Sequence, residues 1–202
     1  LGSVLSLRQR IFQEKHYDKK RWAWQYQNNP AGSGIIDLAV DKNNPNHLAG
    51  HYAVIRQQLK INQREVNAAQ SLDTFTSPDF QRQGIFVGLA EETYKRSYSE
   101  GIRFVFGFPN TNSYPGFVKK LAFSDPFGFR LYKLPLNTTY YLERSPFRAL
   151  APILPPIRLH FRHRSSAHTI ERVKTIPEEA ESLIQNSWSG LHQTAKSRAY
   201  LE

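Results

Sequence analysis

The sequence predicts a mixed α/β (α+β) fold, a mostly antiparallel twisted sheet with flanking helices, and two observations predict it. Three strand-like runs follow one another with only short polar turns between them, the pattern of an antiparallel meander. A helix-periodic run and a short apolar run come next, the order of a βαβ crossover, which is right-handed.

The elements can be justified in order. Residues 5–27 read as helix in two pieces, broken near His16–Asp18, with Asp18 as a cap for the second. NNPAGSG (28–34) is a break. GIIDLAV (34–40), HLAGHYAVIRQQLKI (47–61) and REVNAAQSLDTFT (64–76) are the three strands, separated by DKNNPN and the Asn62–Gln63 turn. From Ile85 to Glu100 the residues Phe86, Leu89, Ala90, Tyr94 and Tyr98 recur near helical spacing. Glu91 with Lys95 and Glu92 with Arg96 are spaced for i,i+4 ion pairs on the outer face. Gly101 suits the left-handed residue that ends a helix. IRFVFGF (102–108) is almost wholly apolar, as a strand buried on both faces must be. Ser113–Leu121 reads as another helix, and GFRLYKLPL with NTTYYLERS (128–145) as two more strands. PFRALAPILPPIRL (146–159) is proline-rich and ends the unit; TIERVKTI then reads as a strand and PEEAESLIQNSW as a helix with Pro in its first turn. This organises the chain as one domain over 1–145, a proline-rich basic linker over 146–168, and a further unit beginning within 169–202.

Composition narrows the function classes. A chain of 202 residues, 40% hydrophobic and 22% charged, is ordinary for a soluble globular protein and long enough for a sizeable core. No apolar run approaches the roughly 18 residues of a membrane span, and LGSVLSLRQR lacks the features of a secretory signal. The absence of Cys excludes disulfides, a thiol nucleophile and a thiolate metal site, and fits a cytoplasmic protein. Met is absent too, position 1 included, which implies a processed chain or a fragment. The net charge of +10 invites nucleic acid, but the densest basic stretch, IRLHFRHRSSAHTIERVK (157–174), accompanies no nucleic-acid-binding motif. It reads as a solvated linker or a surface facing an acidic partner. His160, His163 and His168 lie in it without acidic partners or helical spacing, so no metal site is expected.

SPDFQRQG (77–84) joins the third strand to the long helix. Its amides therefore lie at a helix N-terminus, where unpaired N–H donors and the helix dipole favour a phosphate. Gly84 leaves room for phosphate oxygens to approach the backbone, although on physics alone a lone glycine at a strand–helix junction is more often just a turn. GxxxxGK[ST] and GxGxxG are both absent, which sets aside the two familiar nucleotide loops.

Together with its neighbours the loop is more telling. SLDTFTSPDFQRQGIF (71–86) resembles the acetyl-CoA signature of the GCN5-related N-acetyltransferase (GNAT) family, Arg/Gln-x-x-Gly-x-Gly/Ala after a strand, with Gln81, Gly84 and Phe86 at the three specified positions. FGFPNTNSYPGFVKKLAF (106–123) is similar to the family's Asn-containing segment and following helix, and the order of elements matches over residues 34–134. The variant QGIF…GFPN…SYPGFVKKL looks closest to a bacterial branch associated with polysaccharide or cell-surface biosynthesis.

The resemblance implies an acyltransferase with acetyl-CoA as cosubstrate, no metal, and a small-molecule or cell-surface-precursor acceptor attacking directly in a ternary complex. It implies that Thr74, Phe75 and Thr76 meet the pantetheine arm. The amides of Gln81, Arg82, Gln83, Gly84, Ile85 and Phe86 would hold the pyrophosphate, and Asn110 and Ser113 would steady the cosubstrate from the other wall. Asp73 and His51 are the candidate general bases; a surface strand carboxylate and a hydrogen-bonded core histidine are the plainer readings. Two departures stand out. Phe86 replaces a small residue, so its ring should turn into the core and leave its amide free. The tyrosine that protonates the leaving thiolate in many members corresponds to Phe117 or Val118, with Tyr114 one turn away as a substitute acid or a structural tyrosine. RWAWQYQ (21–27) is either the floor of an acceptor pocket or core packing. AKSRAYLE (195–202) resembles the region around KKRWAWQY, so 169–202 would begin a second, truncated GNAT-like unit, as in tandem GNAT proteins and the Fem-type peptidoglycan aminoacyltransferases. A non-catalytic module binding CoA or a partner, and a Fem-type aminoacyltransferase, are the alternatives.

Overall fold

The computed structural model describes residues 1–13, 17–62, 64–126, 128, 142–150, 172–187 and 193–194. The chain forms two compact units, one of residues 1–124 with 174–202 and one of 125–173. Described elements of the first are helices α1 (Gly2–Phe12), α2 (Lys19–Tyr26), α3 (Ile85–Ser99) and α5 (Glu178–Ser187), the π-helical turn α4 (Gly116–Lys120), and strands β1 (Ile35–Val40), β2 (Leu48–Ile61), β3 (Arg64–Thr76), β4 (Phe104–Gly107) and β5 (Gln193–Thr194). In the second, a 3₁₀ turn spans Arg148–Leu150, preceded by a turn in which the Ser145 amide donates to the Leu142 carbonyl at 3.0 Å.

The sheet runs β1-β2-β3-β4. β1, β2 and β3 are antiparallel neighbours, and β4 is parallel to β3. β5 pairs antiparallel with Leu59–Lys60 of β2. The mixed α/β architecture expected from the sequence is therefore the one formed. Asp18 caps α2 as expected, its side chain accepting the Arg21 amide at 2.9 Å.

Alternation along β2 assigns its faces. Gly50, Tyr52 and Val54 lie under α3, where Tyr52 and Val54 join Ile35, Ala69, Ala90, Ile102 and Phe117 in the main core. α3 approaches closely because residue 50 is glycine: a Cβ there would stand 2.7 Å from Ile85 Cγ2. His51, of opposite parity, meets the ring of Tyr26 from α2 and stacks on Phe75. A second cluster of Val4, Leu7, Leu48 and Phe75 fastens α1 to the sheet.

Three expectations need correction. Tyr98 does not join the helix's buried stripe; it is exposed, with the Arg103 guanidinium over its ring, while Thr93 and Ser97 face inward. Small residues win there because the helix lies close to the sheet, and Thr93 finds a partner in Asp37 at 2.8 Å. Of the two i,i+4 ion pairs neither forms: Lys95 reaches Glu92 at i,i+3, and Arg96 crosses to Asp37, a more shielded carboxylate. In the tail, the described part of the strand expected over 169–176, Arg172–Ile176, is a bend leading to Pro177, which has no N–H for a ladder and precedes α5. The two strands expected over 128–145 lie largely outside the described residues, and Leu142–Ser145 form a turn.

Candidate functional site

β3 does not run straight to its end. His51 pairs with Phe75 and Ala53 with Leu72, so Asp73 and Thr74 together oppose Tyr52. Two residues against one is a β-bulge, which bends the strand and is common beside active sites. It puts Asp73 at φ 48°. A residue with a Cβ persists in that left-handed region, at about 1–3 kcal/mol, only where its surroundings over-determine it.

Here they do. Arg8 of α1 donates from Nε to Asp73 Oδ2 at 3.2 Å and from Nη2 to Oδ1 at 3.3 Å. From α2, Gln25 Nε2 and the Tyr26 hydroxyl donate to Oδ2 at 3.2 and 3.0 Å. His51 Nδ1 lies 2.9 Å from the Asp73 carbonyl oxygen; since that oxygen only accepts, Nδ1 carries the proton. Burial lowers the pKa of His51 from its ordinary 6.5, against the opposing pull of its bond to the Asp73 carbonyl. Its Nε2 is buried and has no hydrogen-bond partner among the described residues. The Tyr26 phenol is held strongly protonated, first by burial and then by the neighbouring Asp73 charge.

The bulge marks the place where the sheet opens. β3 and β4 pair from Ala68–Phe104 to Ser71–Gly107 and then separate. Between the parted strands lies a cleft of ≈ 440 Å³. Leu72–Thr76 form one wall and Phe108–Asn110, Asn112 and Ser113 the other; Ile11 and Phe12 of α1 and Phe117 of α4 also line it. The second wall is fixed locally. Asn110 Oδ1 accepts the amides of Asn112 and Ser113, each at 3.0 Å, and Ser113 Oγ accepts the Asn110 amide at 3.1 Å.

Beyond Thr76 the chain is pinned by the Ser77 amide donating to Ala49 at 2.8 Å, makes a 3₁₀ turn over Pro78–Phe80, and enters α3 through Gly84. Gly84 lies at φ 79°, ψ 0°, and a Cβ on it would meet nothing within 4 Å. The space before the helix is open. The amides of Ile85–Val87, in its first turn, have no intrahelical acceptor. These donors, the open approach at Gly84 and the adjoining cleft suit a ligand that has phosphates at one end and a thin arm at the other.

The residues singled out from the sequence are distributed as follows. Asp73, Thr74, Phe75, Thr76, Gln81, Asn110 and Ser113 all line the cleft. Arg82, Gln83 and Gly84 form the exposed loop at its side, and Ile85 and Phe86 begin the helix. The Phe86 ring turns inward, 5.7 Å from that of Tyr52 and 5.4 Å from that of Phe117, and packs so tightly that Gly116 has no room for a Cβ.

The three proton-transfer candidates fare differently. His51 is buried behind Phe75 and is not part of the cleft wall. Asp73 reaches the cleft, but its carboxylate already accepts four hydrogen bonds. Tyr114 is 41% exposed and outside the cleft lining; Phe117, without a proton to give, faces it instead. Of the three, Asp73 alone lines the cleft. Sequence reading also missed Arg8, Gln25, Ile11 and Phe12. Arg8 and Gln25 reach Asp73 from 65 and 48 positions away, Ile11 and Phe12 by helix packing, and no local motif announces them.

Among the described residues no cluster of three or more His, Asp or Glu could hold a metal ion, and no helix is long and apolar enough to cross a membrane.

Comparison with known proteins agrees with the fold. The profile of the acetyltransferase (GNAT) domain matches residues 2–125, so the chain belongs to the GNAT acetyltransferase family, whose members use acetyl-CoA as cosubstrate. Among solved structures, the chain is similar to a Trypanosoma brucei acetyltransferase at 19% identity, covering 67% of this chain and 92% of that one, with a TM-score of 0.52. It is also similar to the tetramutant of the BH1408 protein from Bacillus halodurans at 9% identity, covering 66% and 93%, with a TM-score of 0.53. An aminoglycoside acetyltransferase from an uncultured soil metagenomic sample, in complex with trehalose, is 18% identical over 66% of this chain and 87% of that one, with a TM-score of 0.50. At these identities the likeness is one of fold. The curated protein sequences contain no match to the chain.

Proposed function

We propose that this chain transfers an acetyl group from acetyl-CoA to an amine or hydroxyl on a small acceptor, by direct attack within a ternary complex. The observation that carries this reading is the parting of β3 and β4 after Ser71–Gly107 beside the open N-terminus of α3. The amides of the loop and first helical turn, over Arg82–Phe86, hold the pyrophosphate, while the Gln81 amide donates to the Pro78 carbonyl and Gln81 lines the cleft; the backbone of Thr74–Thr76 meets the arm; Asn110 and Ser113 close the other side. The acceptor nitrogen forms a bond to the thioester carbonyl carbon, the carbon–sulfur bond breaks, and the proton shed by nitrogen ends on the departing thiolate. A backbone N–H aimed at the carbonyl oxygen favours this step because its bond strengthens as negative charge develops there. Asp73 is held by four hydrogen bonds and Phe117 lines the cleft, so in this reading the chain contributes chiefly position and backbone dipoles.

That same observation favours a second reading, a module that binds CoA without turnover. One assay separates them. Acetyl-CoA is incubated with the protein and a panel of amine acceptors, aminoglycosides included, and free CoA is followed with a thiol reagent, a clean readout because the chain has no Cys. Acceptor-dependent thiol release is the expected result; saturable binding without release from any acceptor would favour the binding module.

A further inference from the structure

Asp73 is the one non-glycine in the cleft wall with a positive φ, and five hydrogen bonds from α1, α2 and β2 converge on it. Four grip the carboxylate and one, from His51, takes the carbonyl. A peptide group is planar and trans, so its C=O and the following N–H point in opposite directions. Holding the Asp73 carbonyl against His51 therefore aims the Thr74 N–H away from the buried side, and Thr74 is part of the cleft wall.

We propose that Asp73 is a positioning residue: Arg8, Gln25 and Tyr26 on its side chain, with His51 on its carbonyl, lock the Asp73–Thr74 peptide so that the Thr74 N–H is presented to the acyl carbonyl oxygen. This rests on the acetyl-CoA reading above and deepens it. The carboxylate takes no proton from the acceptor. It acts through the backbone, and its partners reach it from helices that precede the sheet. Left alone, Asp73 would relax toward the ordinary extended region, rotating the peptide and losing the aim. Replacing water as donor with a pre-aimed N–H avoids reorganisation as charge develops on the oxygen.

The test needs no acceptor. Acetyl-CoA carrying ¹³C at the carbonyl is bound to the full chain, and the carbonyl resonance is compared with that of the free compound. Hydrogen bonding polarises the carbonyl and moves its resonance downfield. The expected result is a downfield move in the parent, lost in Asp73→Ala and reduced in Tyr26→Phe, which removes a single hydroxyl, with acetyl-CoA still bound by calorimetry in all three. Should Asp73→Ala fail to fold by thermal melting, Tyr26→Phe decides. A merely structural role for the cluster would lower the melting temperature and leave the bound resonance where it is. That outcome, or a bound parent with no downfield move, overturns the inference and leaves the acetyl-CoA reading standing. A folded parent that binds no acetyl-CoA overturns both.

Discussion

The bulge of β3 and the loop before α3 each place a left-handed residue in the same site, and they do it by opposite means. At the bulge the residue is Asp73, at φ 48°, clasped by side chains from 22 to 65 positions away. At the loop Gly84 lies at φ 79°, with nothing within 4 Å of where a Cβ would be, and exposed Arg82 beside it lies at φ 62°. One wall is set before any ligand arrives and has spent its polar groups internally. The other leaves the amides of its first helical turn, Ile85–Val87, without an intrahelical acceptor. A site that must hold a reactive carbonyl in one orientation, and also admit a highly charged phosphate tail, has reason to be rigid at the first place and open at the second.

The contrast can be broken most forcefully at Asp73. Asp73→Ala removes four partly buried hydrogen bonds, two of them from Arg8, and should cost about 3 kcal/mol in a urea titration. Asp73→Gly loses the same partners but relieves the left-handed backbone, so it should recover about 1 kcal/mol of that. Equal losses would mean that the bulge stores no strain.

Next in size is a pH effect through His51. Its folded pKa is depressed by burial, so between that value and the unfolded value of about 6.5 the unfolded chain binds more protons than the folded one. Stability should hold above about pH 6.5, fall as pH drops below it, and level off once the folded pKa is passed. His51→Gln should flatten that part of the melting-temperature profile relative to the parent; an identical slope in both would place the titrating group elsewhere.

The smallest effect belongs to the loop. Gly84→Ala meets no clash and bears only the left-handed penalty, about 1 kcal/mol in the same urea titration. A loss as large as that of Asp73→Ala would erase the distinction between the two walls.

The two walls also differ in how well the sequence discloses them. The loop could be read from the primary structure because its physics is local: a strand ends, one glycine bends the chain, and a helix begins. The turn made by Asn110 and Ser113 is local in the same way, and both residues were picked out. The meander and crossover were legible for the same reason, from alternation, polar turns and helical spacing over β1 to β4. The bulge was not. Nothing in SLDTFT shows that Asp73 will oppose Tyr52 out of register, or that Arg8 and Tyr26 will fold over to reach it. A carboxylate beside the cleft looks like a base until its oxygens are found to be filled. At Tyr114 a difference of one helical turn matters in the same way, since Phe117, in the π-helical turn Gly116–Lys120, lines the cleft.

The central claim, that the open loop and the parted strands form an acetyl-CoA site, is tested most directly by calorimetric titration of acetyl-CoA into the parent and into Gly84→Glu. The variant puts a carboxylate where the phosphates are to lie, in a space that the protein itself leaves empty. Saturable binding by the parent and none by a variant that still melts cooperatively is the expected result. Equal binding by the two, or no binding by a folded parent, would contradict it.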